Sequence, residues 1–359
     1  MYSSKCKVQG SGLILLRVLV GLVCLAEAQN KLELQDMDGG FPSLDSMLQW
    51  AVGHSDPEKL KAAAVEFQRL SPEELEKRRV EIKDLMEDLR MPSDAELMKI
   101  AIADINNSSL STEDHSRALH ELLELVGPID NANDLNKLGG LTAIIQELNR
   151  EEKELRTIAA WVLGKSSNNN PVVQKQIIEL NVLPELMGMV KSSCSEEAVK
   201  ALYAVSAIIR NNPDGQAVFY SEGGAHMLQD IMSNDSSDIR LRRKSVFLVA
   251  DLAEQQFELE ASGATRIFEA SKEYLNSVVD LTAVPDLDTQ EKALVALSRL
   301  LQLSDKNVQI LRDFGQLELA LERLRLQIRE LMLDENQGDF LRDIEAQRQE
   351  VEFMLHKKL

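Results

Sequence analysis

The sequence predicts an all-α solenoid, and three observations carry that prediction. The stretch Ala159-Ala160-Trp161-Val162-Leu163-Gly164, closed by Asn169-Asn170-Pro171, returns 42 positions later as Ala201-Leu202-Tyr203-Ala204-Val205-Ser206, closed by Asn211-Asn212-Pro213. The same spacing relates Gly139 to Asn181 and Asn181 to Gly223. Aromatic residues make up only 4% of a chain that is 44% hydrophobic, so its cores must be filled by Leu, Ile, Val, Ala and Met, which suits stacked helices better than a β-sandwich.

A repeat of this length is the unit of armadillo/HEAT-like arrays. Each group of helices there is too small to bury its apolar face alone and stacks on its neighbours into a right-handed superhelical solenoid. Two later matches extend the series: Lys200-Ala201-Leu202-Tyr203 aligns with Lys244-Ser245-Val246-Phe247 at an offset of 44, and with Lys292-Ala293-Leu294-Val295 at 92, where Gly223 meets Gly315. Four units follow from these matches, and the growing offset is expected to fall in loops.

In chain order, residues 1–28 read as a secretory signal peptide. Lys5 and Lys7 precede an apolar run from Leu13 to Ala26, interrupted by Arg17, and Ala26-Glu27-Ala28 places small residues where a signal peptidase reads, with cleavage after Ala28. The run beyond Arg17 is too short to span a bilayer, so no membrane association is expected after cleavage. Residues 29–110 form an N-terminal helical extension. It holds a polar leader, a short amphipathic segment around Trp50, and helix starts at Asp56-Pro57-Glu58, Ser71-Pro72-Glu73-Glu74 and Pro92-Ser93-Asp94-Ala95-Glu96. Each start combines a cap residue with proline and with acids near the positive end of the helix.

Residues 111–315 carry the armadillo-like repeats. Ser111-Thr112-Glu113-Asp114 caps a first helix that Gly127-Pro128 ends. The expected helices after it include 135–149, 155–164, 172–180, 196–210, 239–255, 264–280 and 291–303. Residues 316–359 are C-terminal capping helices, which cover the last unit's apolar face.

The formal charge of −19 opposes binding to nucleic acid or anionic membrane. No glycine-rich phosphate loop, nucleophile elbow or zinc-spaced Cys/His set is present, so the chain is read as a non-enzyme with no catalytic, cofactor or metal residues. His115 and His120 stand five apart, which is not a helical repeat distance, and are read as surface or cap residues. Cys6 and Cys24 leave with the signal, so the mature chain keeps Cys194 and no disulfide. Asn106-Asn107-Ser108, Asn107-Ser108-Ser109 and Asn234-Asp235-Ser236 are sequons, which makes Asn106, Asn107 and Asn234 glycosylation candidates. The end His356-Lys357-Lys358-Leu359 carries lysines where a K-D-E-L retention tail has acids.

Trp161, Tyr203 and Phe247 form a ladder of one aromatic per unit, read as core or groove-wall residues. Armadillo proteins that capture extended peptides carry Trp-x-x-x-Asn; here the fourth residue after the aromatic is Lys165, Ala207 or Asp251, so capture of that kind is not expected.

These motifs together resemble the armadillo-type nucleotide exchange factors of the 70-kDa heat-shock chaperones. The resemblance rests on Leu48-Gln49-Trp50 ending in His54-Ser55-Asp56, on Ile129 to Asp134 followed by Gly139-Gly140-Leu141, on the Ala-Ala-Trp and Ala-Leu-Tyr repeats with Ile209-Arg210-Asn211, and on the basic run Arg243 to Leu248. It covers roughly residues 41–315, and the signal peptide makes it similar to the endoplasmic-reticulum branch. The resemblance implies a monomeric co-chaperone in the endoplasmic-reticulum lumen. Its concave surface would embrace the ATPase domain of a lumenal 70-kDa chaperone and favour the open nucleotide cleft, so that ADP leaves. By position, Asp130, Asn131, Ala132, Asn133 and Arg243 match the family's contact residues. The alternatives are a lumenal or secreted armadillo scaffold without exchange activity, and a holdase using Met-rich apolar surface.

Overall fold

The computed structural model describes residues 56, 57, 59, 61, 71–74, 76, 77, 80, 81, 92–263, 267–332 and 338–356. The signal peptide with its cleavage point after Ala28, and the Trp50 segment, lie outside the described residues. The chain divides into two compact units, Met1–Met91 and Pro92–Leu359. In the first, Ser71 and Glu74 form the expected helix start. The Ser71 backbone N–H donates to the Glu74 carboxylate at 2.9 Å, and the Glu74 N–H donates to Ser71 Oγ at 3.3 Å. These bonds hold the Glu74 carboxyl below its usual pKa.

The second unit opens with the same device. Ser93 caps α1 (Asp94–Ile105) reciprocally with Glu96. Helix α1 packs against α2 (Thr112–Leu125), both within the compact unit that begins at Pro92.

Three-helix units follow. The first contains α3 (Ile129–Lys137), α4 (Gly140–Glu147) and α5 (Lys153–Ser167); the second, α6 (Pro171–Glu179), α7 (Leu183–Met189) and α8 (Ser195–Ile209). The third contains α9 (Pro213–Ser221), α10 (Gly224–Ser233) and α11 (Ile239–Ala261). The backbone explains the period. Gly139, Asn181 and Gly223 have φ of +78°, +54° and +80°, the left-handed conformation that turns the first short helix of each unit into the second. Glycine adopts it freely and asparagine more readily than most residues. Asn169 and Asn211, both at φ +53°, end the long helices α5 and α8 in the same way. The following asparagines, Asn170 and Asn212, then accept from Val173 N–H and Gly215 N–H as caps, with Pro171 and Pro213 at the first helical position. Asn-Asn-Pro is thus a three-residue instruction: turn, cap, start. The segment expected to be one helix over residues 135–149 is two, because the left-handed residue at Gly139 interrupts it.

The long helices bury faces with helical spacing. Helix α5 buries Leu155, Ile158, Ala159, Val162 and Leu163, and α8 buries Ala198, Val199, Leu202, Val205 and Ile209. The long helices α2, α5, α8 and α11 stack in sequence, and the series continues through α13 (Leu287–Leu303) to α16 (Gly338–His356). Gly164 lets α5 and α8 approach closely, since a Cβ there would lie 2.6 Å from the Tyr203 ring and 3.0 Å from Ala204 Cα.

Beyond Asp238 the unit changes. Helix α11 runs to Ala261 instead of residue 255, so part of the extra length expected in loops is helix. One short helix, α12 (Lys272–Asp280), and a single 3₁₀ turn, Leu281–Ala283, then lead into α13; α12 starts later than the expected residue 264. The segment before α12 returns to the array through Phe268, whose ring stacks on Tyr220 at 5.0 Å and meets Tyr274 edge-on at 5.1 Å. Helices α14 (Asp305–Phe314) and α15 (Gln316–Leu331) are joined by Gly315 at φ +61°, the counterpart of Gly223. Helix α16 packs on α13 as the other long helices pack on one another, so the C-terminal helices continue the stack while closing it.

Candidate functional site

The solvated side of the long helices is a strip one helical stripe wide in each unit. On α5 it holds Arg156, Trp161 and Lys165; on α8, Glu196, Lys200 and Tyr203, with Arg210 at its C-cap; on α11, Arg240, Lys244, Phe247 and Asp251; on α13, Lys292, Val295 and Arg299. Trp161 and Tyr203 are half-buried and Phe247 is exposed, which places the aromatic ladder on the wall of this face.

Each aromatic is covered by a lysine from the next unit. Lys200 Nζ lies 3.2 Å from the Trp161 ring centroid, Lys244 Nζ 5.7 Å from that of Tyr203, and Lys292 Nζ 5.6 Å from that of Phe247. The Arg210 guanidinium also stands 4.9 Å from Phe247. Such pairs contribute about 0.5–2 kcal/mol depending on desolvation. Burial, then the nearby cations Lys244 and Arg240 against an opposing Glu196, sets the Lys200 pKa below its usual value. Burial and Arg210 do the same to Lys244. Sequence reasoning aligned these three lysines as repeat markers but missed their partners. The signal was present in the spacing, because each lysine stands three residues before its own unit's aromatic position and so projects toward the preceding one.

One edge of the face is tied by ion pairs between units. Arg156 Nε donates to Glu197 at 2.6 Å, and Arg240 to Glu196 at 2.9 Å. Glu197 is 2% exposed. Burial pushes its carboxyl up, but hydrogen bonds from Arg156 and Ser192 outweigh this and hold it below the usual value.

Arg243, expected at the contact surface, is the corresponding tie one unit on. It donates to both oxygens of Asp286 at 2.8 Å and lies 3.2 Å from Asp288. Asp286 also caps α13 by accepting from Thr289 N–H at 2.9 Å. Burial raises the Asp286 carboxyl, and the bonds from Thr289 and Arg243 bring it below its ordinary value. The remaining expected contact residues sit on α3. Asp130 is exposed, and Asn131 donates to Asp94 at 2.8 Å and to the Leu125 carbonyl at 2.9 Å, tying α1, α2 and α3 together. Asn133 Oδ1 is buried without a hydrogen-bond partner among the described residues. Ala132 is 2% exposed, which corrects the expectation that it touches a partner: in the first turns of a helix, the third residue of Asp-Asn-Ala-Asn faces the core. Arg243 and this α3 group belong to different units, with α5 and α8 between them.

His115 is also corrected. It is buried, 3.3 Å from Glu147 and 3.2 Å from the Asn107 carbonyl, and so is a core residue. Asn106, Asn107 and Asn234 are exposed. In the Asn107 and Asn234 sequons the serine at the third position, Ser109 or Ser236, donates its hydroxyl back to the asparagine Oδ1 at 2.7 Å. Among the described residues no group of three or more His, Cys, Asp or Glu could hold a metal, and no helix is long and apolar enough to cross a membrane.

Comparison with known proteins yields two adjoining family matches. Residues 131–342 match the SIL1/FES1/HPBP1 C-terminal domain, and residues 44–135 match the family described as nucleotide exchange factor Fes1. A mouse protein (Mus musculus) named Nucleotide exchange factor SIL1 is 30% identical over 280 residues, covering 71% of this chain and 59% of the relative. The Hsp70 nucleotide exchange factor FES1 of Mycosarcoma maydis is 27% identical over 206 residues, covering 56% of this chain and 52% of its own length. This chain therefore spans less than two thirds of either relative. Among solved structures, a designed armadillo repeat protein in complex with the peptide (KR)4 superposes with a TM-score of 0.56 at 16% identity, covering 72% of this chain and 99% of that one, which establishes the armadillo fold.

Proposed function

The chain belongs to the SIL1/FES1/HPBP1 family, and from that premise we propose that it is a nucleotide exchange factor acting on the ATPase domain of a lumenal 70-kDa heat-shock chaperone. The observation that carries the reading is the extent of the family match, which runs from α3 through the three-helix units and α13 to the start of α16. The lumenal assignment rests on the signal-like residues 1–28.

No covalent chemistry is required. A monomeric rigid array that binds the open form of a two-lobed ATPase domain more tightly than the closed form shifts the partner toward opening, and ADP escapes. Linkage makes the effect reciprocal, so ADP weakens the array's own binding by the same factor. The stacked long helices suit this role, because a continuous core resists the strain of holding a partner open. Asp130, Asn131, Asn133 and Arg243 remain the proposed contact set, with Ala132 supporting α3 from within.

The test is stopped-flow release of a labelled nucleotide from the purified lumenal chaperone. Acceleration by substoichiometric protein is the expected result. Binding without acceleration would instead mark a scaffold, and suppression of client aggregation without chaperone binding a holdase. An Asp130→Lys, Arg243→Ala double variant tests the contact set; an unchanged release rate removes both residues from it.

A further inference from the structure

The lysine ladder is unlike the rest of a chain whose formal charge is −19. Lys200, Lys244 and Lys292 occupy the same position in three successive units, on helices α8, α11 and α13. Packed helices place such positions roughly 10 Å apart. Arg210 and Arg299 extend the same strip. Of the acids on it, Asp251 is taken up by Arg210, Glu254 by Arg299 and Glu291 by Lys292 at 2.9 Å, and Glu196 is shared between Lys200 and Arg240. Lys244, at the centre, forms no ion pair among the described residues, and the like charge of Arg210 acts on it.

A row of cations that repel one another, with no acid beside its central member Lys244, costs stability unless something compensates. The aromatic rings compensate in part, and they also fix the lysine stems, so a partner would not have to immobilise them. The strip is therefore preorganised for anions. Its rise from one unit to the next matches a folded surface bearing several carboxylates more naturally than one small anion.

We infer that Lys200, Lys244 and Lys292 form an electrostatic docking rail for an acidic face of the folded partner, with Lys244 as its central contact. This rests on the exchange-factor reading, the partner being the chaperone's ATPase domain. The rail lies in the units between the α3 group and α14, where no contact residue was expected except Arg243. Its consequence is that association is steered by charge even though both proteins as a whole need not attract each other.

The experiment compares the full chain with Lys200→Gln/Lys244→Gln/Lys292→Gln and with the corresponding triple arginine variant, titrating each against the purified ATPase domain from low to high salt. Wild-type affinity is expected to fall with salt. The glutamine variant is expected to bind about tenfold more weakly at low salt and to lose most of that salt dependence, while the arginine variant keeps both. Helical circular dichroism and melting check that the variants are folded. Wild-type binding that ignores salt overturns the rail whether or not the glutamine variant folds. Equal binding by wild type and glutamine variant overturns it too, and leaves the exchange-factor reading intact. Failure of the wild type to bind the ATPase domain at all removes that reading and the rail with it.

Discussion

Between Ile129 and Ser233 the chain repeats its whole backbone pattern; between Ile239 and His356 it keeps its long helices and, at Gly315, one left-handed turn. In the first region the turns are written locally, by left-handed Gly139, Asn181 and Gly223 and by the paired asparagines before Pro171 and Pro213. In the second, one short helix and a 3₁₀ turn replace two short helices, and side chains do the joining: Arg243 to Asp286, Arg299 to Glu254, Phe268 between Tyr220 and Tyr274. The stack of long helices survives the change, so the array depends on the spacing of its long helices and tolerates different means of setting it.

The largest contrast should appear in the ties between units. Glu197→Ala leaves Arg156 without its carboxylate beside a nearly buried position and should cost about 3 kcal/mol in denaturant unfolding, whereas Asp286→Ala, at a more exposed pair, should cost about 1 kcal/mol. A common value for both would remove the distinction between the regions. The two carboxyls also predict acid sensitivity. Their folded pKa values lie below the ordinary 4.5 and 3.8, so their stabilisation is complete above those values and is lost as pH falls through the folded ones. Glu197→Gln should therefore melt with a flatter acid limb than wild type, and an unchanged limb would rule out Glu197 as its source.

Helix spacing comes next. Gly164→Ala drives a methyl into the Tyr203 ring and toward the α8 backbone, and should destabilise by about 2 kcal/mol. Gly188→Ala, in α7, meets nothing within 4 Å and should stabilise by about 0.5 kcal/mol through helix propensity. Thermal unfolding of the two variants decides whether close approach, rather than glycine content, makes Gly164 special. Because Tyr203 carries Lys244, Gly164→Ala should also weaken partner binding if the lysine rail is correct.

The same contrast governs what was legible in advance. The period, the Asn-Asn-Pro turns, the two Ser–Glu caps and the Gly223–Gly315 equivalence could be read because each is a local backbone requirement with few residue types able to meet it. Position 139 was harder. Apolar spacing runs on through Leu138 and Leu141, so the break into α3 and α4 was visible only as a glycine. The extension of α11 was hidden because Gln255, Gln256 and Glu258 are as compatible with a loop as with a helix end. At the site, the aromatic ladder was legible from its period. Its lysines were not understood, because a cation's partner across a helix interface depends on the stacking register. His115 was misread for a similar reason: its burial is created by Glu147 and Asn107, which lie far from it in sequence or on another element.

The smallest effect is the sharpest test of the local code. Position 181 holds asparagine where the preceding and following units have Gly139 and Gly223, all at positive φ. If the unit needs only the left-handed backbone there, Asn181→Gly should change stability by less than about 0.5 kcal/mol, since asparagine already tolerates that conformation and glycine removes its residual strain while loosening the unfolded chain. Asn181→Ala keeps a side chain and loses the tolerance, and should cost about 1 kcal/mol. The neighbouring asparagine of another kind, Asn212, provides the counterexample. Its side chain accepts from Gly215 N–H as a cap and donates to the Ile208 carbonyl, so Asn212→Gly should be costlier than Asn181→Gly. Equal costs for the two glycine substitutions would mean that asparagine's side chain, and not the backbone state it permits, is what the period preserves at residue 181.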